Sequence, residues 1–154
     1  MRRFLTAVVL GLVMTAGIAQ AAGPKDYAKG SGTAFGLGFS FNAWSDPANN
    51  DPQGFMKLEF GERTIFADVT CLSVISNQAF GTQAAIHGDI TKVMGPPLTG
   101  GTDGLLFQVT DSRFPALPDR WSSFVTAESV RAGQCAATGG NLMLDDGDIT
   151  VIDE

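Results

Sequence analysis

From Thr33 to Ala43 the chain alternates without interruption. Thr33, Phe35, Leu37, Phe39, Phe41 and Ala43 fall on one side, and Ala34, Gly36, Gly38, Ser40 and Asn42 on the other. A period of two with Phe at three of the apolar positions is incompatible with an amphipathic helix and specifies a half-buried strand. The glycines opposite the phenylalanines predict a sheet that curves sharply or is closely approached by a neighbour. On this reading Phe35, Leu37, Phe39 and Phe41 line the core.

The same signal recurs down the chain. Met56, Leu58 and Phe60 alternate with Lys57 and Glu59, and Gly61-Glu62 turns the chain. Ile65 to Val74 is a long strand whose two faces are equally apolar, so periodicity leaves its core face open. Further strands are expected at Ala84–Thr91, Leu105–Thr110, Trp121–Thr126, Val130–Cys135 and Ile149–Ile152. Loops are expected at Asp46–Gln53, Gly95–Gly104 and Asp111–Asp119, where Pro, Gly, Asn and Asp cluster. Short strands at hairpin spacing predict an all-β domain. It is a single antiparallel barrel or two-sheet sandwich of about seven to eight strands.

Residues 1–21 read as a secretory signal, with Arg2-Arg3, an apolar run from Phe4 to Ile18, and Ala19-Gln20-Ala21 as the cleavage site. Residues 22–31 then form a flexible mature N-terminus and 32–154 the β domain. The expected location is secreted or periplasmic, with no membrane anchor. Lys and Arg number 10 against 16 Asp and Glu, a formal net charge of −6, and loss of Arg2 and Arg3 makes the remainder more acidic still. Such a surface repels phosphate backbones and disfavours nucleic-acid partners.

In an oxidising compartment the two cysteines, Cys71 and Cys135, predict one disulfide, the alternative being two buried free thiols. The long loop that such a bond closes corresponds to about 4 kcal/mol of stabilisation by the chain-entropy estimate. Two Cys and one His are too few for a zinc site, and no cofactor motif is present.

Several segments, taken together, resemble a family of small secreted bacterial proteins, mostly actinobacterial and β-rich. They are Phe39–Ala43, Asp68–Asn77 with its Val-Thr-Cys-Leu-x-Val core, Gly88-Asp89-Ile90-Thr91, Pro118-Asp119, Cys135 and Gly147–Val151. The chain departs from that pattern at Val109-Thr110-Asp111-Ser112, where the family usually carries Val-Asp-Asn-Gly, and in additional residues around Gly81–Ala84. The resemblance implies a β fold and a Cys71–Cys135 pairing. It implies no reaction.

Candidate chemistry is sparse. His87 is the sole histidine, and Asp89 shares its strand face, but Ala84, Ile86, Gly88 and Ile90 look like the core side. His87 and Asp89 are therefore expected to face solvent rather than form a catalytic pair. Asp145-Asp146-Gly147-Asp148 lacks the spacing of a calcium loop and reads as a hairpin turn. The least ordinary segment is Phe114-Pro115-Ala116-Leu117-Pro118, apolar side chains on a proline-stiffened loop. Phe114 and Leu117 are the candidate binding residues, placed beside the Gly95–Gly104 loop and presenting an apolar surface to a small ligand or protein partner. The expectation is a non-enzymatic binding or envelope-associated module. The alternative is a small extracytoplasmic enzyme with an acidic pocket at the barrel mouth.

Overall fold

A computed structural model describes residues 26–46, 51–114, 116–127 and 135–153. The signal segment and residues 130–134 lie outside that set. The strands are β1 (Tyr27–Ala34), β2 (Leu37–Trp44), β3 (Gln53–Phe60), β4 (Arg63–Asn77), β5 (Gly81–Met94), β6 (Thr102–Asp111), β7 (Arg120–Ala127), β8 (Leu142–Met143) and β9 (Asp146–Ile152). They form one antiparallel nine-stranded sheet in the order β8-β7-β6-β5-β4-β3-β2-β1-β9, curled into a half-barrel. The fold is all-β, with more strands than the seven or eight expected.

Two strands are additional: the short β8, where none is expected, and one that comes from the opening alternation. Thr33 to Ala43 is a hairpin and not one strand: β1 and β2 pair from Tyr27↔Trp44 to Ala34↔Leu37. Phe35 and Gly36 form the turn, with φ of 51° and 74°. Two positive φ values across a two-residue connection match the twist of the flanking strands, as in a type I′ turn. Phe35 is consequently 76% exposed and outside the core, whereas Phe39 and Phe41 are buried as expected and Leu37 is half-buried.

Tyr27–Ser31, expected to be loose, belong to β1 and pair with both β2 and β9. The polar, glycine-containing composition conceals the strand. A side chain on Gly30 would press on Phe41 and Ile149, and one on Gly32 on the backbone of Asp146. The glycines there admit close neighbours rather than freeing the chain.

β4 resolves its own ambiguity with a bulge. Val69 pairs with Gly88 and Cys71 with His87, leaving Thr70 as an extra residue. Before it Ile65, Ala67 and Val69 are buried inward; beyond it Leu72 takes over and Cys71 points outward. Both faces of β4 are thus core, each for half its length.

The interior is filled by aromatic rings. Phe39 stacks on Trp121 with centroids 4.6 Å apart, and Phe107 meets Trp121 edge-on at 5.4 Å and Phe41 at 5.9 Å. These contacts join β2 to β6 and β7 across the curl, and burying each such side chain contributes about 2–3 kcal/mol.

The outer face is covered by a strap, Cys135–Asn141. Its first residue is disulfide-bonded to Cys71, with Cα atoms 6.2 Å apart. It then crosses the strands on side-chain hydrogen bonds. Gln108 Nε2 donates to the Ala136 carbonyl at 3.1 Å and Gln108 Oε1 accepts from the Thr138 amide at 3.0 Å. The amides of Gly140 and Asn141 donate to Thr110 Oγ1 at 3.1 Å and Ser122 Oγ at 2.8 Å. Polar residues that alternation assigns to solvent (Gln108, Thr110 and Ser122) are therefore buried and bonded.

Candidate functional site

Strand connectivity decides which loops meet. In an antiparallel sheet successive hairpin loops fall at alternate ends, so Gly95–Gly101, before β6, and Ser112–Asp119, after it, lie at opposite ends of that strand. The expected juxtaposition of Phe114 and Leu117 with the glycine-rich loop does not occur, and Gly104 is inside β6. The first loop instead rests on Arg63, whose guanidinium donates to the carbonyls of Pro96 and Pro97 at 2.7 and 2.9 Å.

Phe114 and Leu117 share their end of the barrel with the Gln78–Phe80 turn between β4 and β5. They are 45% and 48% exposed. The loop is held by the Leu117 amide donating to the Phe114 carbonyl at 2.9 Å, and by the Ser112 amide donating to Asp119 Oδ1 at 2.8 Å. Pro115 lies outside the described residues.

A pocket of about 190 Å³ opens on one side of this loop. Phe80, Phe114, Leu117 and Pro118 supply apolar walls, and Gln83, Thr110, Arg120 and Asn141 the polar lining. Gln83, Thr110 and Arg120 occupy one row across β5, β6 and β7, since Thr110 pairs with Gln83 on one side and Arg120 on the other. They face the strap, whose glycines keep the site open: a side chain on Gly139 would strike the Gln83 amide and Thr110 Oγ1.

On the other side of Phe114, Leu117 and Pro118 lies a groove of about 480 Å³ edged by Asp111, Asp119, Asp145, Asp146 and Asp148. Three of these carboxylates accept amides from residues distant in the chain. Asp111 Oδ2 accepts from the Val151 amide at 2.9 Å, Asp119 Oδ2 from Ile149 at 2.8 Å, and Asp145 Oδ2 from Phe35 at 2.8 Å. Burial pushes the Asp111 carboxyl above the usual carboxylate range; the Val151 amide opposes this, and the charges of Asp119 and Asp148 add to it. Asp145–Asp148 connect β8 to β9, and Asp146 Oδ1 accepts from the adjacent Gly147 amide at 2.9 Å. Among the described residues no group of three or more His, Cys, Asp or Glu is arranged to hold a metal ion.

His87 faces outward as the alternation says, but it is only 4% exposed. The expectation of a solvated side chain fails because its face is covered. The ring sits beside Cys71 in the sheet register, with Nδ1 3.2 Å from Thr70 Oγ1 and Nε2 3.4 Å from Thr126 Oγ1. Gly104 lies against it, and a side chain there would meet His87 Nε2 and Thr126 Oγ1. Asp89 is half-buried on the same strand.

The residues that sequence reasoning missed are Gln83, Thr110, Arg120 and Asn141. Each is an ordinary polar position in or beside a strand, and only the register and the strap gather them. Compared with known proteins, the chain matches no family model, no curated protein and no solved structure.

Proposed function

We propose that this protein is an exported binding module that takes a small ligand, or a short segment of a protein partner, in the pocket beside Phe114 and Leu117. One observation carries the reading: an exposed aromatic and an exposed leucine form the wall of a concave site whose lining holds hydrogen-bonding side chains. Sites for small molecules are built this way, with apolar walls and a few polar groups that fix orientation. The packed aromatic interior supports it too, because it moves the binding role from the barrel lumen to its end. The Cys71–Cys135 bond fits folding in a secreted or periplasmic compartment, in line with the signal read at residues 1–21. Membership of the secreted family that the Val-Thr-Cys-Leu-x-Val core resembles belongs to the same reading.

The test is a pair of variants. Phe114→Ala and Leu117→Ala are expected to weaken a bound ligand while leaving the melting temperature nearly unchanged, since both side chains are already half in water. A large fall in melting temperature for both, with ligand affinity intact, would make them lids on the core and end the reading.

A small hydrolytic or acid–base enzyme is the second reading, and the acidic groove with its raised Asp111 carboxyl favours it. The hydrogen bonds that Asp111 and Asp119 accept from backbone amides give those two carboxylates a structural task already. Turnover that survives Phe114→Ala but vanishes in Asp148→Asn, with the fold intact, would decide for this alternative.

A further inference from the structure

Arg120 and Gln83 are polar groups without a visible purpose in the fold. Among the described residues the Arg120 guanidinium has no hydrogen bond or ion pair. Its neighbour Asp119 points to the other side of the strand, where Ser112 and Ile149 occupy both of its oxygens. Gln83 is 8% exposed, and its side-chain amide likewise bonds to no described residue, although it lines the same pocket. Its amide opens onto the pocket and is not sealed from water, so a ligand there takes the place of solvent on it. Thr110, between them in the row, has its hydroxyl engaged by the Gly140 amide and forms a fixed floor.

Resting on the binding-module reading, we infer that the pocket takes a small carboxylate with an apolar body, its oxygens on the Arg120 guanidinium and the Gln83 amide and its body against Phe80, Phe114 and Leu117. A planar guanidinium matches a carboxylate through two parallel N–H···O bonds, which an ammonium or a hydroxyl cannot do. The Gln83 side chain supplies a further N–H donor. The site volume of about 190 Å³ sets the size. It equals roughly six waters, so the guest is one ring or one branched chain with its acid group. The overall negative charge slows the approach of any anion but acts from a distance that salt screens beyond about 8 Å, whereas the guanidinium is in contact. The same chemistry is offered by a free aryl or branched-chain acid and by the C-terminal residue of a peptide.

The experiment is titration of the mature, disulfide-intact protein, followed by amide chemical shifts, with four probes. They are phenylacetate, its neutral counterpart phenylacetamide, and a short peptide ending in Phe as free acid or as amide. Phenylacetate should bind with a Kd on the order of 1 mM or tighter, the affinity expected of a guest of that size. It should shift residues of β5–β7 and of the loop, and the amide should bind on the order of 10-fold or more weaker. Arg120→Gln should lose on the order of 10- to 100-fold for the acid and little for the amide, with an unchanged melting temperature. Gln83→Leu should weaken both. Tighter binding of the peptide acid than of phenylacetate assigns the site to chain ends, and the reverse order to free acids; either supports the carboxylate. Equal binding of acid and amide, unchanged in Arg120→Gln, overturns the carboxylate and leaves the module reading standing. No shift at the pocket with any of the four overturns the carboxylate, and with it the support that the pocket lends to the module.

Discussion

Asp111 accepts the amide of Val151 at 2.9 Å across a gap where no strand ladder runs. β9 is laddered to β1 along one edge, and its other edge faces β6 and Asp119, the residue just ahead of β7. There two carboxylates do what a neighbouring strand would otherwise do: Asp111 takes Val151, and Asp119 takes Ile149. An edge of unpaired amides invites association with another chain, and capping them with acceptors removes that liability.

Asp111→Asn is expected to stabilise the protein at neutral pH. Asparagine keeps a carbonyl acceptor for Val151 and removes a partly buried charge that faces Asp119 and Asp148. The sign with pH follows from the raised carboxyl. The fold favours the protonated form, so stability from this group is greatest below the ordinary carboxylate range and is lost as pH climbs through the raised value. Melting scans across mildly acidic pH should show this slope in the native sequence and its absence in the variant. The gain at neutral pH should be small, about 1–2 °C, because solvent screens a half-exposed side chain. A fall in melting temperature would show that the charge itself is needed at the seam.

Asp119→Ala removes an acceptor from two amides, Ser112 and Ile149. The expected loss is about 2–3 kcal/mol by chemical denaturation, and the Ile149 amide should exchange with solvent faster than the amides of β4. Uniform exchange across the sheet would mean the seam does not open by itself.

Two phenylalanines four residues apart should respond in opposite directions. Phe39→Ala empties a place in the ring stack on Trp121 and should cost about 3–5 kcal/mol. Phe35→Gly, at a turn residue with φ of 51°, should be neutral or stabilise by about 1 kcal/mol. Denaturation midpoints of the two variants decide the matter.

Replacing Cys71 and Cys135 together by serine should cost about 2–4 kcal/mol. The protection of the strap amides at Thr138, Gly140 and Asn141 should fall before that of the strands beneath. Simultaneous loss would make the strap part of the core rather than a cover on it.

Much of the architecture is readable from residue pattern. Met56, Leu58, Phe39 and Phe41 alternate as half-buried strand residues should, and all four are buried. The errors share a cause. Period two cannot distinguish a strand from a tight hairpin when the turn residues, Phe35 and Gly36, continue the alternation. Glycine contributes nothing to a hydrophobic pattern, so the first half of β1 reads as a loose end. The pocket was half legible: Phe114 and Leu117 are conspicuous in a proline-rich loop, whereas Arg120 and Gln83 belong to different strands and become neighbours only through pairing register. His87 departs from the expectation because its outward ring is enclosed by Thr70, Gly104 and Thr126 of three different strands, which only the pairing register and the bulge in β4 bring to it.

The extra residue at Thr70 gives β4 a parity. Odd-numbered side chains point inward up to Val69 and even-numbered ones from Leu72 onward. Without that extra residue a regularly alternating strand would still carry Cys71 outward and Leu72 inward after Val69, so Thr70 is the one residue of the upper half of β4 whose removal keeps the sulfur aimed at Cys135. A single deletion or insertion beyond it, between Leu72 and Asn77, would instead turn every following side chain to the opposite face, and length changes there must come in pairs. The connections between strands carry no such constraint, which leaves the loop bearing Phe114 and Leu117 free to vary in length while the clasped sheet behind it stays fixed.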